Sequence, residues 1–233
     1  MSARTKCRKP IRLFIVLLIV GITVWGYVEL VNANSTHMTI RQKFLKAIYP
    51  LFTGYKKLFN KDTRILTNDQ NITPVESFYD LSVKLNNGRP LQFGELKGKK
   101  VLLVNTASDC GFTAQYDDLE KLYEQDKDKL TIIGFPANDF QKQEKGTDEQ
   151  IAQFCKQNFN VTFPLATKNS VIRGADQQQV FQWLTNKSKN GWNSKQPSWN
   201  FSKYLVNERG VLMNYFDPAI SPLSDEVKTA IDR

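Results

Sequence analysis

Two short apolar runs, Lys100–Thr106 (KVLLVNT) and Leu130–Phe135 (LTIIGF), are separated by a stretch with helical patterning. Strands this apolar need cover on both faces, which a sheet flanked by helices supplies. Between them, Thr113–Asp126 reads as a helix with Tyr116, Leu119, Leu122 and Tyr123 on one face. Thr147–Asn158 opens with Thr-Asp-Glu, an N-cap followed by acidic first-turn residues, and continues as a helix with Ile151 and Phe154 inward. Upstream, Ser77–Lys84 alternates as a strand before the turn signal Asn86-Asn87-Gly88. Downstream, Phe201–Val206 and Val211–Phe216 flank Asn207-Glu208-Arg209-Gly210 as a hairpin, and Pro222–Asp232 reads as a closing helix. Strands alternating with helices, then an antiparallel pair, predict an α/β domain over 75–233 with a central mixed β-sheet flanked by helices.

The rest of the chain is of another kind. The formal charge of +9 sits entirely in the N-terminal part: residues 1–70 hold 12 Lys/Arg against 3 Asp/Glu, and residues 71–233 hold 20 of each sign. An electroneutral domain argues against a nucleic-acid surface and for a membrane-flanking role of the basic residues. Residues 13–28 carry no charge and follow Arg4, Lys6, Arg8, Lys9 and Arg12. Extended to Val31, this stretch nears the ~20 residues that cross a bilayer as a helix. Trp25 and Tyr27 stand where an aromatic belt would lie. Val31-Asn-Ala33 also supplies the small residue that signal cleavage needs.

A retained transmembrane anchor spanning residues 13–31 and a signal helix cleaved after Ala33 both stay open. Either places the domain on the extracytoplasmic side, tethered in one case and secreted or periplasmic in the other. The chain therefore divides into 1–33 (basic region and apolar helix), 34–74 (linker) and 75–233. Within the linker, residues 38–59 suit a basic amphipathic helix on an anionic membrane surface, or an ordinary helix interrupted by Pro50 and Gly54. Residues 60–74 are polar and turn-rich and mark the domain boundary.

Chemistry is narrowed by scarcity. Three cysteines (Cys7, Cys110, Cys155) with no C-x-x-C pair give no disulfide framework. His37 is the single histidine, so no metal site built on imidazole is expected, and no cofactor. Ser-His-Asp and Cys-His catalysis are excluded from the domain, which contains no His. Cys110 falls between the first buried strand and the helix after it. Unpartnered first-turn N–H groups at such a place favour a thiolate, so its pKa is expected below the ordinary ~8.5. Position alone equally allows an inert buried cysteine. Thr113 stands where a C-x-x-C protein carries its second cysteine, so the site resembles a thioredoxin site without its partner.

Val104-Asn-Thr-Ala-Ser-Asp-Cys110-Gly-Phe-Thr-Ala-Gln-Tyr116 resembles the active-site signature of the glutathione peroxidase family. Two further segments match in order: Gly134-Phe-Pro-Ala-Asn138-Asp-Phe140-Gln-Lys-Gln143-Glu144 and Trp199-Asn200-Phe201-Ser-Lys203-Tyr-Leu205-Val206. The resemblance runs from about Phe78 to Ile231. It implies a thioredoxin-like fold and a thiol-dependent peroxidase that reduces hydrogen peroxide and organic or lipid hydroperoxides, with glutathione or a thioredoxin-like protein as reductant. It also implies a tetrad of Cys110, Gln143, Trp199 and Asn200, in which Cys110 is the peroxidatic sulfur and neutral N–H donors stabilise it. Cys155 lies one position from the place where many cysteine-type members carry a resolving cysteine.

Asp109 replaces the common Lys before the nucleophile, and a carboxylate there opposes thiolate formation. Ala137, Asp139 and Gln141-Lys142 also depart from the family pattern. The region 168–197 is short, like the family's monomeric members, so a monomer is expected. The alternatives are a membrane-tethered thiol–disulfide oxidoreductase, which the missing cysteine at Thr113 disfavours, and a non-enzymatic redox sensor of the same fold.

Overall fold

The computed structural model describes residues 8–33, 35, 37–59 and 64–233; Arg4, Lys6, Cys7 and the stretch 60–63 lie outside it. Two helices come first, α1 (Arg8–Val31) and α2 (Ile40–Phe59). The first contains a 19-residue segment, Leu13–Val31, long and apolar enough to cross a membrane. Its Leu13, Phe14, Leu17 and Ile22 side chains are exposed. The second runs through Pro50 and Gly54 instead of breaking at them. Proline forfeits one backbone donor, and burial of the preceding Ala47 and Tyr49 holds this turn by packing.

The sheet order is β1 (Ile65–Thr67), β7 (Leu212–Phe216), β6 (Lys203–Val206), β4 (Lys100–Thr106), β5 (Leu130–Pro136). Within this sheet β4 and β5 run parallel, and β6 pairs antiparallel with both β4 and β7. The edge strand β1 comes from the polar, turn-rich stretch and pairs antiparallel with β7 through Ile65↔Phe216. Three residues with partly buried side chains leave too short an apolar pattern to read locally.

The two apolar runs behave as their composition requires. Along β4, Leu102 and Val104 join one buried cluster while Val101 and Leu103 join the other. Along β5, Leu130 and Ile132 divide from Ile133 and Phe135 in the same way. Helices α3 (Gln115–Asp126), α4 (Asp148–Phe159) and α7 (Asp225–Asp232) contribute to the first cluster, together with Tyr49 of α2 and Met38 just before it. The second face is covered by α5 (Gln179–Leu184) and by the hairpin β2 (Ser82–Lys84) and β3 (Pro90–Gln92), with the short α6 (Lys187–Asn190) beside α5.

The strand expected over Ser77–Lys84 is shorter. Phe78–Asp80 forms a 3₁₀ turn capped by the Ser77 side chain, and only Ser82–Lys84 is extended. Phe78 is buried against Trp183 and Phe93, so tertiary packing overrides the alternating pattern. Gly88, with φ of 86°, makes the β2–β3 turn that a side chain would strain. Helix α4 begins as its sequence signals: the Thr147 hydroxyl accepts from the Gln150 N–H and the Gln150 side chain returns the bond.

Candidate active site

Strand direction brings three distant segments to one edge of the sheet. Both β4 and β5 end there, and antiparallel β6 starts there, with Val104 opposite Lys203. Cys110 follows β4, Gln143 follows β5, and Trp199 and Asn200 precede β6. Their loops are tied together by backbone and amide bonds. Asp109 N–H donates to Gln143 O at 3.0 Å, Phe201 N–H to Asn105 O at 2.6 Å, and Asn105 Nδ2 to Trp199 O at 3.0 Å.

Phe201 adopts φ of 67°, unusual for a residue with a side chain. Its carbonyl accepts from the fully buried Lys203 Nζ at 2.7 Å, which helps hold that turn beside Asn200. Burial pushes the Lys203 ammonium down to about 7, with Asp217 and Asp118 acting in the opposite sense.

Helix α3 after Cys110 opens at Gln115, not at the expected Thr113, so Cys110 stands further from it. The residues before it form tight turns in which Thr113 N–H reaches Cys110 O at 3.1 Å and Tyr116 N–H reaches Thr113 O at 3.1 Å. The Thr113 side chain closes this segment, accepting from Cys110 N–H at 3.0 Å and donating to Ala107 O at 2.9 Å. The residue in the second-cysteine position thus shapes the turn.

The sulfur itself is buried. Burial pushes the Cys110 thiol above its ordinary range, the reverse of the depression expected from a helix terminus. Three donors oppose burial: the Phe112 N–H, 3.4 Å from Sγ, the Asn200 amide and the Trp199 indole. Asp109 adds to the upward push.

Direct donation from the Gln143 amide to the sulfur, expected from its residue type, is not among the bonds around Cys110 in the described residues. Gln143 Oε1 accepts from Asn200 Nδ2 at 3.0 Å, so its contact with the centre runs through Asn200. Asn200 is fully buried, Gln143 and Trp199 are half-buried, and the Trp199 ring packs on Phe140 at 5.4 Å between centroids. The structure therefore brings all four expected residues to one place.

Cys155 occupies α4, fully buried in the same cluster as Cys110 and Tyr116. Burial pushes its thiol up to about 12 despite the nearby Tyr116 hydroxyl. It is an inaccessible thiol in this conformation.

Two participants escaped the sequence reading. Glu144 is buried and accepts from Ser108 Oγ at 3.1 Å, while its own N–H donates to Asn138 Oδ1 at 2.9 Å. Burial pushes its carboxyl up to about 7. Its place beside Gln143 in the second motif was the available signal. The other is Arg41 of α2, whose guanidinium pairs with the Asp109 carboxylate. No local pattern links residues so far apart. A cavity of about 480 Å³ opens where they meet, lined by Arg41, Gln42, Lys142, Gln143 and Phe154. No group of three or more His, Cys, Asp or Glu side chains that could hold a metal occurs among the described residues.

Comparison with known proteins points to one family. The family model described as glutathione peroxidase matches residues 78–185. A glutathione peroxidase homolog of Staphylococcus epidermidis is 43% identical over 160 residues, covering 68% of this chain and 99% of the relative. A glutathione peroxidase-like peroxiredoxin of Schizosaccharomyces pombe is 44% identical over 157 residues, 66% of this chain and 98% of its own. Among solved structures, Trgpx in its apo form aligns with a TM-score of 0.52 at 32% identity, covering 68% of this chain and 97% of that one. A DsbF homologue from Corynebacterium diphtheriae reaches a TM-score of 0.52 at 15% identity, covering 74% and 94%, which shows the shared thioredoxin-type fold alone.

Proposed function

Because this chain belongs to the glutathione peroxidase family, we propose that it is a thiol-dependent peroxidase in which Cys110 reduces hydrogen peroxide and organic or lipid hydroperoxides. The observation that supports this reading most is the set of neutral donors around one buried sulfur: Phe112 N–H, the Asn200 amide and the Trp199 indole, with Asn200 fixed by Gln143. Such donors match charge that exists only on the thiolate and in the transition state.

In the cycle, the Cys110 thiolate attacks one peroxide oxygen and the O–O bond breaks. The departing oxygen takes a proton and leaves as water or alcohol, and the sulfur, oxidised by two electrons, becomes a sulfenic acid. A thiol then condenses with it, expelling water and forming a disulfide, which a second thiol reduces. Asn200, Trp199 and Gln143 are positioned to orient the peroxide and to stabilise the sulfur.

Glutathione and a thioredoxin-like dithiol are the two candidate reductants. Cys155 is the candidate resolving thiol. As it is fully buried, it reaches the sulfenic acid only if α4 opens locally. The apolar segment Leu13–Val31 anchors the chain with the domain on the extracytoplasmic side, unless cleavage after Ala33 releases it. The protein acts as a monomer and needs no cofactor.

Hydroperoxide-dependent oxidation of reduced thioredoxin and of glutathione by the full chain in detergent tests the reading. Turnover that disappears in Cys110→Ser supports it; turnover of disulfides without peroxide would replace it with the oxidoreductase reading. Membrane fractionation and protease protection of the domain test the topology, and light scattering tests the monomer.

A further inference from the structure

We propose that Arg41 is a positioning residue of the Cys110 centre: by pairing with Asp109 it offsets the carboxylate next to the nucleophile, so that docking of α2 sets the reactivity of Cys110. This rests on Cys110 being the reactive sulfur. Helix α2 lies outside residues 78–185 that match the family model, yet it is packed onto the site.

Its Arg41 and Gln42 contacts converge on the loop that carries the cysteine. The Arg41 guanidinium pairs with the Asp109 carboxylate and reaches Asp109 O at 3.4 Å. One residue on, Gln42 Nε2 donates to Ser108 O at 3.0 Å. One turn further, Lys46 pairs with Asp117 at 3.0 Å and lies 4.5 Å from the centre of the Phe159 ring. Below these polar contacts, Met38 and Tyr49 enter the buried cluster that contains Cys110. The segment before α2 is fastened as well, since Ser35 Oγ donates to Asn158 O at 3.4 Å and His37 N–H to Asn158 Oδ1 at 3.3 Å.

The electrostatic need is specific. Asp109 is the carboxylate whose charge acts against ionisation of Cys110. The other charged groups around the centre are accounted for differently. Glu144 is bonded to Ser108 Oγ, Asp117 is paired with Lys46, Lys203 is held on Phe201 O, and Lys142 and Lys145 line the cavity beside Gln143. Arg41 reaches Asp109 from a different element, with a planar guanidinium whose geometry matches a carboxylate. Because both partners are partly exposed, the effect is modest, within the range of solvent-screened pairs.

The test measures alkylation of Cys110 in the full chain in detergent micelles, as the pH dependence of its iodoacetamide rate read by mass spectrometry of its own peptide. Arg41→Gln is expected to slow alkylation about threefold at neutral pH and move the profile upward, with Arg41→Lys restoring most of the rate. Asp109→Asn is expected to speed it, and adding Arg41→Gln to Asp109→Asn is expected to change nothing further. Lys46→Gln, which removes an α2 charge pair with Asp117 but leaves Arg41 on Asp109, is expected to leave the profile in place. If Arg41→Gln slows the Asp109→Asn protein equally, or if Lys46→Gln moves the profile as far, the charge-offset role is overturned. Alkylation is read without turnover, so a failure here leaves the peroxidase reading intact, and absence of peroxide turnover in the wild type would strike that reading instead.

Discussion

The Asn200 amide donates to the Gln143 carbonyl oxygen across 3.0 Å, joining two loops 57 residues apart directly beside the buried sulfur of Cys110. The same amide bears on the sulfur, so one side chain links the nucleophile to the rim of the cavity. Asn200→Asp replaces a donor by a carboxylate and is expected to slow sulfenic acid formation by roughly 100-fold or more. Gln143→Glu keeps an acceptor for Asn200 and is expected to lose less than Gln143→Leu. Stopped-flow measurement of the second-order rate with peroxide separates the four proteins.

Thr113 holds the nucleophile's turn from both ends, through Cys110 N–H and Ala107 O. Thr113→Val keeps the shape but leaves both buried groups unpaired. It is expected to cost about 2 kcal/mol of stability and to slow the reaction with peroxide. Chemical denaturation together with the same stopped-flow assay checks this.

Glu144 gives a pH signature. The native carboxyl keeps its proton up to about pH 7, whereas the unfolded one releases it near its ordinary 4.5. Between those values the native state binds more protons, so stability falls as pH rises. Glu144→Gln is expected to remove most of this slope, on the order of 1–3 kcal/mol across the window. Denaturation midpoints at pH 5 and pH 7.5 for both proteins test it.

The proposed resolving role of Cys155 has a test that separates chemistry from recycling. Cys155→Ser is expected to leave the first oxidation of Cys110 unchanged, abolish the Cys110–Cys155 disulfide, and reduce thioredoxin-linked turnover at least tenfold. Non-reducing peptide mapping after one equivalent of peroxide, alongside the coupled assay, decides it. Intact turnover in Cys155→Ser removes the resolving role.

Much of the fold was legible because it depends on local pattern. KVLLVNT and LTIIGF became the two parallel strands with alternate residues in opposite clusters, and Thr147 capped its helix. The three motifs around Cys110, Gln143 and Trp199-Asn200 marked residues that the structure brings together. Tertiary structure decided what depends on long-range contact. The edge strand Ile65–Thr67 exists through its pairing with β7, and Ser77–Lys84 gave up its first half as Phe78 packed on Trp183. The sign of the Cys110 shift was also decided there. A helix terminus is visible in sequence, but desolvation depends on everything that encloses the sulfur, and that outweighed the local donors. The pairing of Arg41 with Asp109 belongs to the same class: each residue could be read alone, and only the packing of α2 onto the domain put their charges in contact.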